Sequence, residues 1–294
     1  MTLDVGRLRV LVEVARAGSI AEAARRMSYT PSALSQQLSK LEAELRARLV
    51  ERSGTGIRLT EAGAVLVHHA ERVLGELREA EAATAAVLGA EQRRMAIGTF
   101  ATAGAALVPA ALVELRARHP DVQLSLRDLE PPDGYGLVTS GDLDLLITHR
   151  YPGVPSVPTG GLIRRPLLND PLRLALPATR PANGKLDPAA EHWISGGPGV
   201  PNRTCLDMLA ARIGFTPRIS YETADYGLTL ALVRAGLGIA LVPAMVLREH
   251  PGLRVREWGT ARPAREICVV HRRRPTPLVT EVVTLIREAA QALS

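Results

Sequence analysis

Between residues 30 and 40 the chain places Thr30, Pro31, Ser32, Ser35, Gln36 and Lys40. Hydroxyls, one amide and one cation in such a cluster carry out no bond-breaking chemistry, but they hydrogen-bond well to phosphate oxygens and to base edges. The amide of Gln36 has the donor and acceptor that adenine presents in a major groove, and the serines are short enough to let a backbone come close. To act together these groups must share one face of a helix. Leu34, Leu38, Leu41 and Leu45 recur at steps of four, three and four, which makes an apolar stripe. At about 100° per residue, Ser32, Gln36, Ser39 and Ala43 fall opposite that stripe, with Ser35 and Lys40 on its flanks. Thr30 suits the N-cap, and Pro31 the first helical position, where its missing N–H costs nothing.

The elements that hold this helix are legible upstream. Leu8, Leu11, Val12 and Ala15 repeat at helical spacing, Gly18 stops that helix, and Ser19 caps a second one over 20–26. A turn follows over 27–30. Residues 1–58 carry a net +4, and Arg25, Arg26, Lys40, Arg52 and Arg58 could hold flanking phosphates. From spacing alone, an ordinary helical hairpin with a solvated polar face remains an alternative.

Longer blocks decide between them. The run 18–24 (Gly-Ser-Ile-Ala-Glu-Ala-Ala), the run 29–38 from Tyr29 to Leu38, then Leu41-Glu42, Leu49-Val50-Glu51-Arg52 and 58–63 (Arg-Leu-Thr-Glu-Ala-Gly) together resemble the winged helix-turn-helix of LysR-type transcriptional regulators. The resemblance implies that the helix beginning near Thr30 is a recognition helix and that the turn 53–56 is the tip of a β-wing. It further implies base or backbone contacts for Thr30, Pro31, Ser32, Ser35 and Gln36, and a wing phosphate contact for Arg52. The chain departs from the family at Pro31, where Gln is frequent, and at Val50, where Phe is usual. The first removes an amide contact and the second trims the core.

Residues 59–92 carry a net −4. Leu66, Ala70, Val73, Leu77, Ala80, Thr84 and Val87 alternate steps of four and three, the spacing of a helix that pairs with another. A helix over 61–88 would be roughly 42 Å long. It could pack on its own chain, but the resemblance implies pairing into a homodimer, with two dimers forming a homotetramer.

Residues 93–294 hold most of the Gly and Pro and alternate apolar runs with helical patterns, as α/β domains do. Strands are predicted at 95–98, 122–126, 142–147, 172–176, 193–195, 218–221, 238–242 and 267–270, and helices at 107–118, 206–213, 228–235 and 278–290. This order resembles the effector-binding region of the same family, two α/β lobes like those of periplasmic binding proteins. The predicted architecture is therefore an all-α winged helix-turn-helix domain (1–59), a linker helix (60–90) and an α/β two-lobed effector domain (91–294). Lobe I is 91–160 with 265–294, and lobe II is 161–264. A small-molecule effector would bind where strands end and helices begin, because free N–H groups there accept anionic oxygens. The matching residues are Thr99, Thr102, Thr148, His149, Asn202 and Arg203; the alternative is that the threonines are simple caps and His149 a surface residue.

Composition removes other classes. With 3% aromatic residues, a surface gripping single strands by repeated ring stacking is excluded. There is no Gly-Lys phosphate loop, nucleophile elbow or zinc spacing, so neither an enzyme, a cofactor nor a metal is expected. A small-molecule-binding protein without DNA activity is disfavoured by the intact helix-turn-helix. Cys205 and Cys268 lie 63 positions apart and read as ordinary thiols. Charges within the first twenty residues leave no secretory run, and Arg234, Gly236, Gly238 and Pro243 break the most apolar stretch, so a cytoplasmic chain with no membrane contact is expected. The partners expected are double-stranded DNA carrying an inverted repeat, a small anionic effector, further copies of the chain, and RNA polymerase.

Overall fold

The computed structural model describes residues 3–53, 56–88, 94–151, 153–155, 159–181, 186–247, 252–259 and 262–293, with the side chains of Arg52, Ser53 and Ala86 outside that description. Three helices open the chain: α1 (Val5–Ala17), α2 (Ile20–Met27) and α3 (Pro31–Leu45). Each begins on a side-chain cap, with Asp4 accepting from Arg7 N, Ser19 from Glu22 N and Thr30 from Ala33 N. Such caps satisfy N–H groups that have no partner inside the helix. Gly18 takes a left-handed φ of 64°, which ends α1 and turns the chain directly into α2. Leu11, Val14, Ala23, Leu34 and Leu41 are sealed from solvent in one core.

Strands β1 (Val50–Ser53) and β2 (Gly56–Leu59) form an antiparallel hairpin; its tip residues Gly54 and Thr55 lie outside the described residues. The wing is pinned at both ends. Ile57 N donates to Gly18 O at 2.9 Å, and Glu42 on α3 accepts from Leu49 N at 2.8 Å, so the recognition helix and the wing are oriented together. Val50 packs half-buried against the helical core.

Helix α4 (Glu61–Val87) is capped by Thr60, which accepts from Gly63 N at 3.0 Å. The expected stripe divides. Ala70 is buried and Leu66 half-buried in the helix-turn-helix core, joined by Leu74, whereas Val73, Leu77 and Val87 are exposed. Gly75 lets α4 pack on the carbonyl of Thr139 in α6 (Tyr135–Thr139), a short helix that the sequence did not predict. No helix among the described residues is long and apolar enough to cross a membrane.

The remaining chain is α/β. Strands β3 (Arg94–Thr99), β4 (Gln123–Asp128) and β5 (Leu145–Arg150) are parallel, with α5 (Ala101–Arg118) after β3. Beside β5 run β11 (Ala264–His271) and the 15-residue β6 (Ile163–Pro177). Beyond its middle, β6 pairs instead with β9 (Ala240–Pro243) and β10 (Leu253–Glu257). A second sheet, β7 (His192–Ser195) with β8 (Arg218–Glu222), is flanked by α7 (Pro201–Arg212) and α8 (Tyr226–Arg234), and α9 (Pro277–Gln291) packs on α5. Two main cores result, one around Leu107, Ile147 and Ile286, the other around Trp193, Leu206 and Trp258.

Several predicted bounds move. The strand expected from residue 142 begins at Leu145, because Asp142 turns to meet Arg16 and Arg78 while Asp144 accepts from Ala96 N. Helix α5 starts six positions before the expected 107, in a run of small residues that carries no apolar stripe. Helix α7 starts at Pro201, which puts Asn202 and Arg203 in its first turn instead of in a loop. The first half of β6 lies along β11 with Leu167 and Leu168 against the first core, so those residues belong with lobe I and not, as expected, with lobe II.

Candidate functional site

The outward face of α3 is polar and open. Thr30, Pro31, Ser32, Ser35, Gln36, Ser39 and Lys40 are all exposed, while Leu34, Leu38 and Leu41 on the opposite face are buried. Ser32, Ser35, Gln36, Ser39 and Lys40 line one shallow concavity along the helix. Thr30 Oγ1 and Ser32 Oγ lie 3.1 Å apart, so the two hydroxyls form one polar cluster at the helix start. Lys40 and Arg58 are exposed without an ion-pair partner among the described residues. Arg52 sits on β1 opposite Ile57. Arg25 and Arg26 are not free cations: both donate to Glu22, and these hydrogen bonds hold its carboxyl down to about 2. A cationic, amide-bearing helix face beside a hairpin is what a duplex groove and its phosphates require.

A second feature lies 60 residues and more along the chain, a cavity of about 800 Å³ where the starts of α5, α7 and α8 meet the ends of β5 and β9. Neither α5 nor α7 has a side-chain cap at its first turn, whereas α8 is capped by Asp225. The partial positive charge of two uncapped helix starts therefore faces the cavity. Of the residues expected here, Thr102, His149 and Asn202 line it. The other three do not. Thr99 is buried beneath α5, with its hydroxyl donating to Phe100 O at 3.3 Å. Thr148 is buried on the opposite face of β5 from His149, as strand alternation requires. Arg203 is turned to Asp207 at 3.0 Å, one helical turn on.

His149 is held between Phe100 and Tyr151, at ring centroid distances of 4.5 and 5.3 Å, and its Nε2 lies 3.3 Å from Glu130. Burial lowers its pKa against the opposing pull of Glu130, which favours the neutral ring. Tyr151 and Tyr226 share a 3.1 Å hydroxyl contact, and burial pushes both phenols up. Two buried acceptor-capable atoms on the lining residues, Asn202 Oδ1 and His149 Nδ1, have no hydrogen-bond partner among the described residues.

Arg265 was not foreseen. It is 1% exposed, pairs with Asp170 at 2.9 Å, donates to Thr102 Oγ1 at 2.8 Å and lies over the Phe100 ring at 5.1 Å. Its sequence signal is weak: Arg265 stands beside Glu266 at the start of a strand whose middle, Ile267 to Val270, is apolar. Nothing local identifies Asp170, 95 positions earlier, as the partner.

Comparison with known proteins follows the same division. Residues 5–64 match the family model described as bacterial regulatory helix-turn-helix protein, lysR family, and residues 88–291 match that of the LysR substrate binding domain. An uncharacterised HTH-type transcriptional regulator, YcgK of Bacillus subtilis, is 29% identical over 282 residues, covering 85% of this chain and 83% of its own. A full-length OxyR variant from Pseudomonas aeruginosa superposes with a TM-score of 0.64 at 21% identity, over 99% of this chain and 95% of that one. Full-length CbnR, solved in complex with its target DNA, gives 0.51 at 24% identity, over 98% of this chain and 100% of that one.

Proposed function

Because the chain belongs to the LysR family, with a helix-turn-helix and a substrate-binding domain that together span nearly its whole length, we propose that it reads an inverted-repeat operator as a homodimer through the exposed face of α3. It is a transcriptional regulator, as its relatives are named, and not an enzyme. The observation that carries the operator reading is the open row Ser32, Ser35, Gln36 and Lys40, opposite a sealed leucine face.

The division of labour follows the sequence reading: 1–59 binds DNA, 60–90 links and pairs, and 91–294 senses. Pairing through α4 is supported by Val73, Leu77 and Val87, apolar residues that the chain's own fold leaves exposed. Two such dimers form a tetramer. The effector is a small anion held between the lobes near Thr102, and its binding alters the angle between lobes and hence the spacing of the paired readers. RNA polymerase is the further partner, and the cytoplasm the compartment.

Selection from a pool of randomised duplexes with the full-length chain tests this reading. It is expected to enrich a dyad-symmetric motif whose half-sites are whole helical turns apart. Enrichment of a single asymmetric site, or of none, would refute it. Arg52→Ala should lower the slope of log affinity against log salt by about 1 without changing the motif.

A further inference from the structure

The cavity contains one cation whose bonding is incomplete. Arg265 uses Nε and Nη2 for Asp170 and Nη2 again for Thr102, and its Nη1 amine has no acceptor among the described residues. The side chain is almost fully buried, yet Nη1 is not among the buried atoms left without a partner, so it opens onto the cavity that Arg265 lines. A ligand acceptor can reach Nη1 there without displacing Asp170.

Asp170 ties the same guanidinium to the junction of the two halves. Its Oδ2 takes Arg265, while Oδ1 accepts from Met245 N at 3.0 Å, at the start of the 3-10 turn Ala244–Leu247 that follows β9. Thr102 lies on α5, Asp170 and Arg265 on the neighbouring strands β6 and β11, and Met245 beyond β9. One chain of hydrogen bonds, Thr102 to Arg265 to Asp170 to Met245, thus runs from α5 to the turn 244–247, where Met245 packs on the first core while Val246 and Leu247 pack with Ile194 and Leu230 of the other half.

We propose that Arg265 is the polar anchor of the effector, that the effector is a monocarboxylate with a compact apolar body, and that its binding is transmitted across the lobes through Asp170. This rests on the effector reading above and assigns that site's ligand class and its route of regulation. The carboxylate takes Nη1 and competes with Thr102 for the guanidinium edge. Its charge is favoured by the uncapped starts of α5 and α7, because Asp170 already neutralises Arg265. Two carboxylates in the lining oppose it less than their number suggests. Asp225 is committed to capping α8, and Glu130 is 65% exposed, its charge screened by solvent. The apolar body lies against Phe100, Tyr226, Val200 and Met245.

Calorimetric titration of the full-length chain with benzoate and hexanoate, each beside its amide, tests the assignment. At least one of the two acids is expected to bind ten times or more tighter than its amide, and hydrogen exchange at Met245 is expected to slow when it binds. Equal binding of acid and amide, or no binding of either acid, overturns the ligand class. Removing both charges together by Arg265→Met with Asp170→Asn keeps an acceptor for Met245 N–H, and it should abolish the preference for the acid. Thr102→Val, which leaves the ion pair intact, should alter acid affinity and leave amide affinity unchanged. An unchanged acid preference in the double variant overturns the role of Arg265. Binding to the selected operator, measured on the same preparations without carboxylate, depends on residues 30–58; its failure would count against the regulator reading and not against the anchor.

Discussion

Arg16 Nη1 lies 2.8 Å from Asp142 Oδ2, joining the first helix of the DNA-binding part to the turn before β5, 126 positions away. The contact is the centre of a network. Arg16 Nη2 donates to Glu71 on α4, to Ser140 Oγ and to Gly136 O, and Arg78 on α4 reaches Asp142 Oδ1 at 2.5 Å and Ser140 O. Three parts of the chain therefore meet at one carboxylate. Asp142→Asn keeps the shape and removes the charge that two arginines share, which should cost about 2 kcal/mol at a site of charge-assisted bonds. Urea unfolding should show the loss, and small-angle scattering should show a larger radius of gyration. An unchanged radius would mean that the network does not hold the parts together.

The same carboxylate sets an acid limit. Burial pushes the Asp142 carboxyl up, but hydrogen bonds from Arg78, Ser140 and Arg16 outweigh it and bring it from 3.8 down to about 2. A group depressed in the folded state contributes stability that is complete above its unfolded value and is lost as pH falls through the folded one. The radius of gyration should therefore hold above pH 4 and rise between about pH 4 and pH 2. In Asp142→Asn this acid-dependent component should be missing.

Gly63 explains the end of the motif that runs from Arg58. A Cβ built there would lie 2.0 Å from the carbonyl oxygen of Leu49, which itself accepts from Thr60 N at 3.0 Å. Gly63→Ala forces β1 and α4 apart at the joint between wing and linker. The expected cost is about 1–3 kcal/mol, as for other overpacked sites. A thermal melt followed by circular dichroism checks it, and an unaltered midpoint would show that the joint yields freely.

Both cysteines are buried, and burial pushes Cys205 up to about 11, and Cys268 up to about 12 with Glu266 adding to the effect. Thiolate, the reactive form, is therefore scarce at neutral pH. Iodoacetamide at pH 8 should leave the native chain unlabelled and modify both residues after unfolding in urea. Rapid labelling of either in the native chain would contradict the reading of both as ordinary buried thiols.

The DNA-facing part was legible in the sequence because its determinants are local. Caps at Ser19 and Thr30, the stop at Gly18 and the leucine stripe of α3 each operate within one helix, and the structure places them where their spacing implies. The cavity was legible only in part. Thr148 and His149 were expected together, yet neighbours on a strand point to opposite faces, and only His149 reaches the cavity. Arg203 was expected as a ligand contact, but its position four residues before Asp207 gives it a nearer partner. Arg265 escaped because its role depends on the pairing of β6 with β11, which no short window of sequence contains.

The central claim, that the open face of α3 discriminates among base sequences, is tested most directly by fluorescence anisotropy. The full-length chain and Gln36→Ala would be titrated, at physiological salt, with the intergenic duplex beside the gene and with a shuffled duplex of equal length. The wild-type chain should prefer the intergenic duplex by about a thousandfold or more. Loss of one bidentate base contact in Gln36→Ala should narrow that ratio by about tenfold while leaving shuffled-duplex affinity unchanged. Equal affinity of the wild-type chain for both duplexes would contradict the account.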